Sequence, residues 1–571
     1  MLVLGVHDGK DGGVALLDGG KVLFAANEER YSRRKLHFGF PFLALERMYQ
    51  YTGVRPQDID AVTVGFEAMV EDSEAAYDYE AEPRLHQKIY SVLVRSFGPM
   101  MNTEAAAYGS LQLMKLMAQN KEELKLNLKN QGITAPVHFM NHHCSHAASA
   151  YYACGQSEAI VISSDGGGDG ISGGVYVGRN GKLTQHTSFS KLNSAGVFWE
   201  IITQICGFNP ERHGGKITGL AAYAPGDKAY AVLSELFGYC ERTGGLENRG
   251  QRAFNDLFQL VRKKVENLDI QELSSGAQRI LDEVFLRTVK QAYKKYRIPH
   301  VALSGGTFAN VRTNLVVREI PGIESVFVFP HMGDGGIAMG SAHVYLGSRQ
   351  MIPQSEIRDL YWGDQWSEGR IQAELKSTRG VQWKKLVEPA DAIGDALSRK
   401  EVVGIFQGRM EYGPRALGHR SILAEPTDTT MMDWLNHRLA RTEFMPFAPI
   451  ILEEDAPDYF INYEGMEYPG KFMTICMRCT PVCKEKAPGV VHLDGTARPQ
   501  TVAKDVEPYV HAALSAYKRK TGLPLAINTS FNKHEEPIVG SPEDAISELK
   551  RGAVDVLFLE SFEVRKEASA S

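Results

Sequence analysis

"EAIVISSDGGGDGISGGVYVG", Glu158–Gly178, is the stretch whose reading decides the fold. Its apolar run is short, β-branched and bounded by turn formers, which predicts a buried strand. A glycine-rich turn follows, and "GGVYVG" returns as a second strand. Strands with one continuous apolar run belong to sheets covered on both faces, as in layered α/β domains. The same grammar recurs on both sides. At the N-terminus "MLVLGV", "HDGKDGG" and "VALLDGGKVLF" read as strand, turn and hairpin. Downstream, a long helix from Ser274 to Tyr296 leads to strand "HVALSGG" and a helix from Thr307; strand "SVFVFP" then ends at "HMGDGG", which opens another helix. Two similar sheets would suit an internal duplication, although no sequence repeat is detectable. Residues from about Glu71 to Leu128 read as a mostly helical insertion. The pattern breaks near Tyr345, and a second α/β block follows, rich in arginine at "GRMEYGPRALGHRS" and closing on "LPLAINTSFN", "SPEDAISELKRG" and "AVDVLFLESFEVRK".

Bulk properties frame the function. With 571 residues the chain has room for two or more domains. It is 43% hydrophobic and 23% charged, ordinary for a globular protein with large cores. A net charge of -6 supplies no basic footprint, so no nucleic-acid partner is expected. Seven cysteines, read as scattered without CxxC pairs, signal neither a zinc ribbon nor a disulfide framework, and a reducing cytoplasm is the expected compartment. The N-terminus carries no signal-peptide pattern, and no apolar run reaches the roughly 18 residues of a membrane span.

"MNHHCSHAASAYYACG", Met140–Gly155, crowds three histidines into five positions. His142 and His146 are four apart and share one helical face, where both nitrogens can reach one ion. Asp165 ends a strand in a glycine-rich turn, and Asp334 follows "SVFVFP" in a similar place. Two histidines with one or two carboxylates suit a divalent transition metal with open positions. Packing histidines and ordinary Asp-Gly turns would leave the same trace. The glycine runs "SSDGGGDG", "HGGKITGLAAY", "SGGTFANV" and "GDGGIAMG" would let backbone amides approach phosphate. None matches the P-loop or the dinucleotide fingerprint.

Taken with "GPRALGHRSILAEP", "FMPFAPIILEE", "DGTARPQTV" and "LAINTSFN", these segments resemble the NodU/CmcH/TobZ family of O-carbamoyltransferases, nearly end to end and in motif order. The resemblance implies an actin-like ATPase domain of the threonylcarbamoyl-tRNA-synthesis type over 1–350, and a YrdC-like α/β domain over 351–571. It implies that carbamoyl phosphate and ATP yield a carbamoyl adenylate, whose carbamoyl group passes to a hydroxyl of a small-molecule natural product. His142, His146, Asp165 and Asp334 would hold a divalent metal: Fe(II) first, with Mn, Mg or Zn as alternatives. Gly166, Lys216, Gly305, Gly306, Asn310 and Asp334 would lie along the nucleotide, with Mg²⁺ accompanying ATP. The oligomeric state stays open, a homodimer among the options.

The second block also makes chemical sense by itself. Carbamoyl phosphate is a small dianion, and arginine forks bind phosphate at any working pH. Arg415, Arg420, Arg441 and Arg498 fall in or beside the matching motifs, with Arg498 expected to be essential for activation. His419 would add a donor or a titratable proton; Asn528 and Ser530 would add neutral hydrogen bonds. Aligned without gaps on "GVALLDGG", the family's N-terminal "HDAS" or "HDGS" becomes "KDGG". Lys10 then stands where the family has histidine and Asp11 is kept, which makes both candidate catalytic residues. Lys10 would serve as the acceptor base only with a depressed pKa, or else bind phosphate, and His7 would substitute only along a different loop path. Two other classes compete. A small-molecule kinase on the actin-like fold would not need the arginine-rich block. A tRNA-modifying enzyme transferring threonylcarbamoyl would be expected to show a basic bias.

Overall fold

The computed structural model describes residues 1–67, 79, 111–352, 355–439 and 447–567. The chain divides into two compact units. The first comprises Met1–Val22, Phe38–Pro41 and Val54–Glu356; the second comprises Leu23–His37, Phe42–Gly53 and Ile357–Ser571. The boundary near residue 356 lies close to the expected 350. The N-terminal sequence is not all in the first unit, however, because Leu23–His37 and Phe42–Gly53 pack with the second. Their ties are specific: the Ala25 N–H donates to Trp362 O, and Arg47 forks onto Asp364.

Two five-stranded sheets build the first unit. One has β1 (Leu2–His7), β2 (Gly13–Asp18), β3 (Lys21–Asn27), β4 (Ala61–Val64) and β5 (Val137–Phe139) in the order β3-β2-β1-β4-β5. The other has β6 (Glu158–Gly168), β7 (Ile171–Arg179), β8 (Lys182–Ser190), β11 (His300–Ser304) and β12 (Ser325–Val328) in the order β8-β7-β6-β11-β12. In each, the first strand is central, antiparallel to the second and parallel to the fourth. This is the duplication the sequence hinted at without a detectable repeat, and it is the doubled topology of an actin-like domain. A small hairpin of β9 (Phe237–Tyr239) and β10 (Leu246–Asn248) lies between β8 and β11 in the chain.

The duplication also sets two helices face to face. Helix α1 (His142–Ala153) follows β5, and helix α2 (Ile337–Gly347) follows β12. They meet at Gly340, where a Cβ would lie 2.2 Å from Ser145 O. At Gly5, a Cβ would lie 1.8 Å from Ala338 O, so β1 and α2 touch backbone to backbone. Around them, Ile160, Ile162, Phe198, Phe285, Val301 and Leu303 belong to one buried core. The long helix α3 (Ile270–Tyr296) starts four residues earlier than expected, with Asp269 as N-cap. Of the expected insertion, helix α4 (Leu111–Asn130) is described; most of the rest lies outside the described residues.

An eight-stranded mixed sheet forms the second unit. In the order β13-β22-β21-β14-β15-β20-β16-β19, it contains β13 (Val381–Lys385), β22 (Phe562–Lys566), β21 (Val556–Leu559), β14 (Val403–Phe406), β15 (Arg420–Ala424), β20 (Leu525–Ser530), β16 (Ala448–Leu452) and β19 (Gln500–Val502). Ile405, Leu423, Ile450, Val510, Leu514 and Phe558 share its core. A two-stranded piece pairs β17 (Met477–Arg478) with β18 (Thr496–Ala497). Cys476, Cys479 and Cys483 stand in a Cys-x2-Cys-x3-Cys spacing, which corrects the reading of the cysteines as lacking CxxC pairs; all three are buried free thiols. No described helix is long and apolar enough to cross a membrane.

Candidate active site

The histidine face is set by capping. Asn141 precedes α1, and its side-chain oxygen accepts from the Cys144 N–H at 3.0 Å. Asp169 accepts from the His142 N–H at 2.7 Å, so a carboxylate also holds the first turn. His142 and His146 then project together, with ring centroids 4.7 Å apart. Asp165, on β6, brings Oδ2 to 2.9 Å from His142 Nε2 and 3.1 Å from His146 Nε2. Asp334, just before α2, places Oδ1 3.4 Å from His146 Nε2 and 3.9 Å from His142 Nε2. One ligand atom from each of the four lies within 4.8 Å of the others. His143 Nε2 also comes within 3.7 Å of Asp165 Oδ1, but the ring is bonded to Ser163 Oγ and Ile171 O.

Glycine in "SSDGGGDG" serves packing here as well as turning. Strand β6 runs on through Gly168, with an irregularity between Ser164 and Gly168, before the hairpin to β7. A Cβ at Gly168 would lie 2.4 Å from the His142 ring, so the strand carries glycine where the imidazole passes.

The donor set fits a divalent ion. His146 Nε2 and Asp165 Oδ1 are buried and lack a well-formed hydrogen bond among the described residues. Burial opposes a charge on His146, but Asp165 and Asp334 outweigh it and push its pKa up to about 9. Burial likewise opposes ionisation of Asp334, yet His146 and His142 bring it down to about 2. Two carboxylates and two imidazoles thus form a charged, dehydrated cluster. Metal binding there would release the proton that His146 otherwise keeps. His142, His146, Asp165 and Asp334 would hold the ion, which would polarise a bound oxygen as a Lewis acid.

Lys10 and Asp11 lie in the turn between β1 and β2. Lys10 Nζ lies 3.9 Å from Glu211, and Asp11 sits in the left-handed region with Oδ2 3.8 Å from His331 Nε2. The imidazole beside the cluster is His7. It is fully buried at the end of β1 and stacks on Phe66, which in turn packs on His142. Its Nε2 lies 2.8 Å from Lys10 O, while Nδ1 is buried without a partner among the described residues. Burial brings its pKa down to about 4, with Asp334 opposing, so His7 is neutral at working pH and keeps a lone pair.

The expected nucleotide positions divide into two groups. Gly305, at φ 100, approaches β6 so closely that a Cβ would lie 2.2 Å from Ser164 O; Gly306 faces open space. Gly166 passes Glu200, with a Cβ position 3.2 Å from Oε1. Lys216 is buried, its ammonium 5.3 Å from the Phe208 ring centroid. Asn310 corrects the expectation. Its Oδ1 caps a helix by accepting from the Thr313 N–H at 3.1 Å, and its Nδ2 donates to Gln278 Oε1 at 2.8 Å.

In the second unit the arginine motif is a tightly bonded loop. Glu411 Oε1 accepts from the N–H groups of Leu417, His419 and Arg420. His419 stacks on Tyr361 at 3.6 Å and bonds Arg409 O at 2.5 Å and Glu507 Oε2 at 2.6 Å. Both ring nitrogens face acceptors, so the ring is an imidazolium committed to protein oxygens. It has no donor left for a ligand, which corrects the expected role. Asn528 donates to Ala416 O and Gln500 Oε1, leaving only Oδ1 as an acceptor. That polarity suits a carbamoyl N–H and not a phosphate oxygen. Arg415, Arg498 and Ser530 are half-buried, Arg420 is fully buried, and Arg441 lies outside the described residues.

The His419–Glu507 pair makes a pH-dependent contribution to stability. Burial lowers the His419 pKa, but Glu507 outweighs it and the value is raised. A raised folded value means stabilisation that is complete below the ordinary 6.5 and lost as pH rises through the folded value. Wild-type protein should therefore lose melting temperature more steeply than His419→Gln on the alkaline side of neutrality. Equal slopes would show the ring to be neutral.

Comparison with known proteins agrees with both halves. Residues 2–343 match the family model described as Carbamoyltransferase N-terminus, and residues 394–566 match Carbamoyltransferase C-terminus. Nodulation protein NolO of Bradyrhizobium diazoefficiens is 32% identical over 75% of this chain and 79% of its own. Nodulation protein U of Rhizobium tropici is 26% identical over 97% and 94%. The uncharacterized protein MJ1058 of Methanocaldococcus jannaschii is 31% identical over 83% and 82%. Among solved structures, HypF of T. kodakarensis aligns with 62% of this chain at 13% identity and a TM-score of 0.32; this chain spans about half of it, 48%.

Proposed function

The chain belongs to the carbamoyltransferase family, and from that premise we propose that it activates carbamoyl phosphate with ATP and carbamoylates a hydroxyl of a small natural product. Carbamate is a poor acyl donor because its carboxylate is anionic and resonance-stabilised. In this reading water cleaves carbamoyl phosphate to carbamate and phosphate. A carbamate oxygen then attacks the α-phosphorus of ATP, expelling pyrophosphate. The acceptor hydroxyl finally attacks the carbamoyl carbon, and AMP leaves. The adenylate hydrolyses readily, so buried sites suit it.

The observation that carries the reading is the pairing of two chemistries in one chain. The first unit offers a buried imidazole–carboxylate centre, and the second a buried, guanidinium-rich loop. Arg498 would hold the activated anion, with Arg415 beside the same motif. His7 takes the role first considered for Lys10: Nδ1 accepts the acceptor's proton, and Nε2–H is anchored on Lys10 O.

Incubation with ATP and carbamoyl phosphate should release pyrophosphate and AMP. His7→Asn should keep pyrophosphate release and slow transfer by about 10²-fold or more, the usual worth of a positioned base. Formation of ADP in place of AMP and pyrophosphate would overturn the adenylate reading.

A further inference from the structure

Buried guanidiniums normally meet carboxylates. Two buried ones in the second unit, Arg420 and Arg30, meet carbonyl oxygens instead, as does half-buried Arg409. Arg420 is fully buried, and its terminal nitrogens donate to Gln407 O, His419 O and Gly408 O. Arg409 donates to Gly363 O, Leu23 O and Trp362 O. Arg30, only 4% exposed, donates through Nη2 to Gly413 O at 2.6 Å.

The nearby acids are already committed. Glu411 is held by three backbone N–H groups. Asp364 takes Arg47 and the Tyr31 hydroxyl, and Glu29 takes Lys35 and the Leu36 N–H, standing 3.9 Å from Arg30 Nε. Two donors remain: Arg30 Nη1 and Arg420 Nε are buried without an acceptor among the described residues. A charged N–H left in this state is costly unless an anion supplies the acceptor. Both arginines grip the same loop, Arg420 at residues 407–408 and Arg30 at residue 413.

We propose that Arg30, contributed by the N-terminal segment that packs into the second unit, is a phosphate ligand there, acting with Arg420 on the anion of carbamoyl phosphate. The proposal deepens the adenylate reading and rests on it for the identity of the anion. Both donors are shielded from solvent, so the loop must open to admit a ligand. Gly408, Gly413 and Gly418 lie in it at φ 52, 120 and 107, conformations in which glycine moves at little cost. Arg30 falls outside the arginine-rich motifs, which explains why they do not reveal it.

The test uses the full-length protein and inorganic phosphate as probe, followed by calorimetry and ³¹P line broadening. Arg30→Met should weaken phosphate by about tenfold or more, as loss of a charge-assisted bond predicts. Arg30→Lys keeps the charge without the fork and should be intermediate, with an unchanged melting temperature. Arg34→Met, which removes an exposed charge from the same segment, should match wild type. Should Arg30→Met not fold, Arg30→Lys decides. Wild-type affinity in a folded Arg30→Lys, or no phosphate uptake by wild type, would overturn the proposal. Phosphate uptake that depends on Arg30 in a protein releasing no pyrophosphate would instead sink the adenylate reading and leave the anion site standing.

Discussion

His142→Ala is expected to abolish carbamoyl transfer, by about 10²–10³-fold or more, while pyrophosphate release continues within about twofold of wild type. His142 is one of four groups whose ligand atoms lie within 4.8 Å of one another. Removing it leaves Asp165 and Asp334 facing each other with one imidazole between them. Ion affinity should fall with activity, and elemental analysis of anaerobically purified protein should show metal in wild type and little in the variant. The fold should survive, since α1 keeps its Asn141 cap and its packing on α2. Equal loss of pyrophosphate release would show that the two units do not divide the reaction as proposed.

Arg498→Ala should show the reciprocal pattern. Arg498 follows β18 directly and leads into β19 within "DGTARPQTV"; desolvation, and after it the Arg498 charge, lowers the His492 pKa to about 4 against the pull of Asp494. A cation placed between two strands is held with little freedom, so its loss removes a positioned charge. Pyrophosphate release should drop by about 10²–10³-fold, with metal content unchanged. A variant that released pyrophosphate normally but failed to transfer would place Arg498 at the wrong step.

Residue spacing and motif resemblance named His142, His146, Asp165 and Asp334 together, and the four side chains meet. Spacing succeeds here because i and i+4 share a helix face whatever surrounds the helix. Two of the glycines answer to packing: Gly305 to the backbone of Ser164, and Gly168 to the ring of a histidine 26 positions earlier in the chain. His419, Asn528 and Asn310 look like ligands in sequence because their polar atoms are the right kind. Only their neighbours reveal which of those atoms are already bonded, and that Asn528 keeps Oδ1 open.

By itself, the sequence determined the α/β class, the two-part organisation and the identity of the His142–His146–Asp165–Asp334 group. Those depend on local periodicity, turn chemistry and motif order, which the chain carries at short range. Tertiary structure decided that the His7 ring stands beside that group, that residues 23–37 and 42–53 pack with the second unit, and which polar atoms remain open. These outcomes rest on contacts between residues up to several hundred positions apart, where a hydrogen bond can be allotted once and burial makes each allotment final.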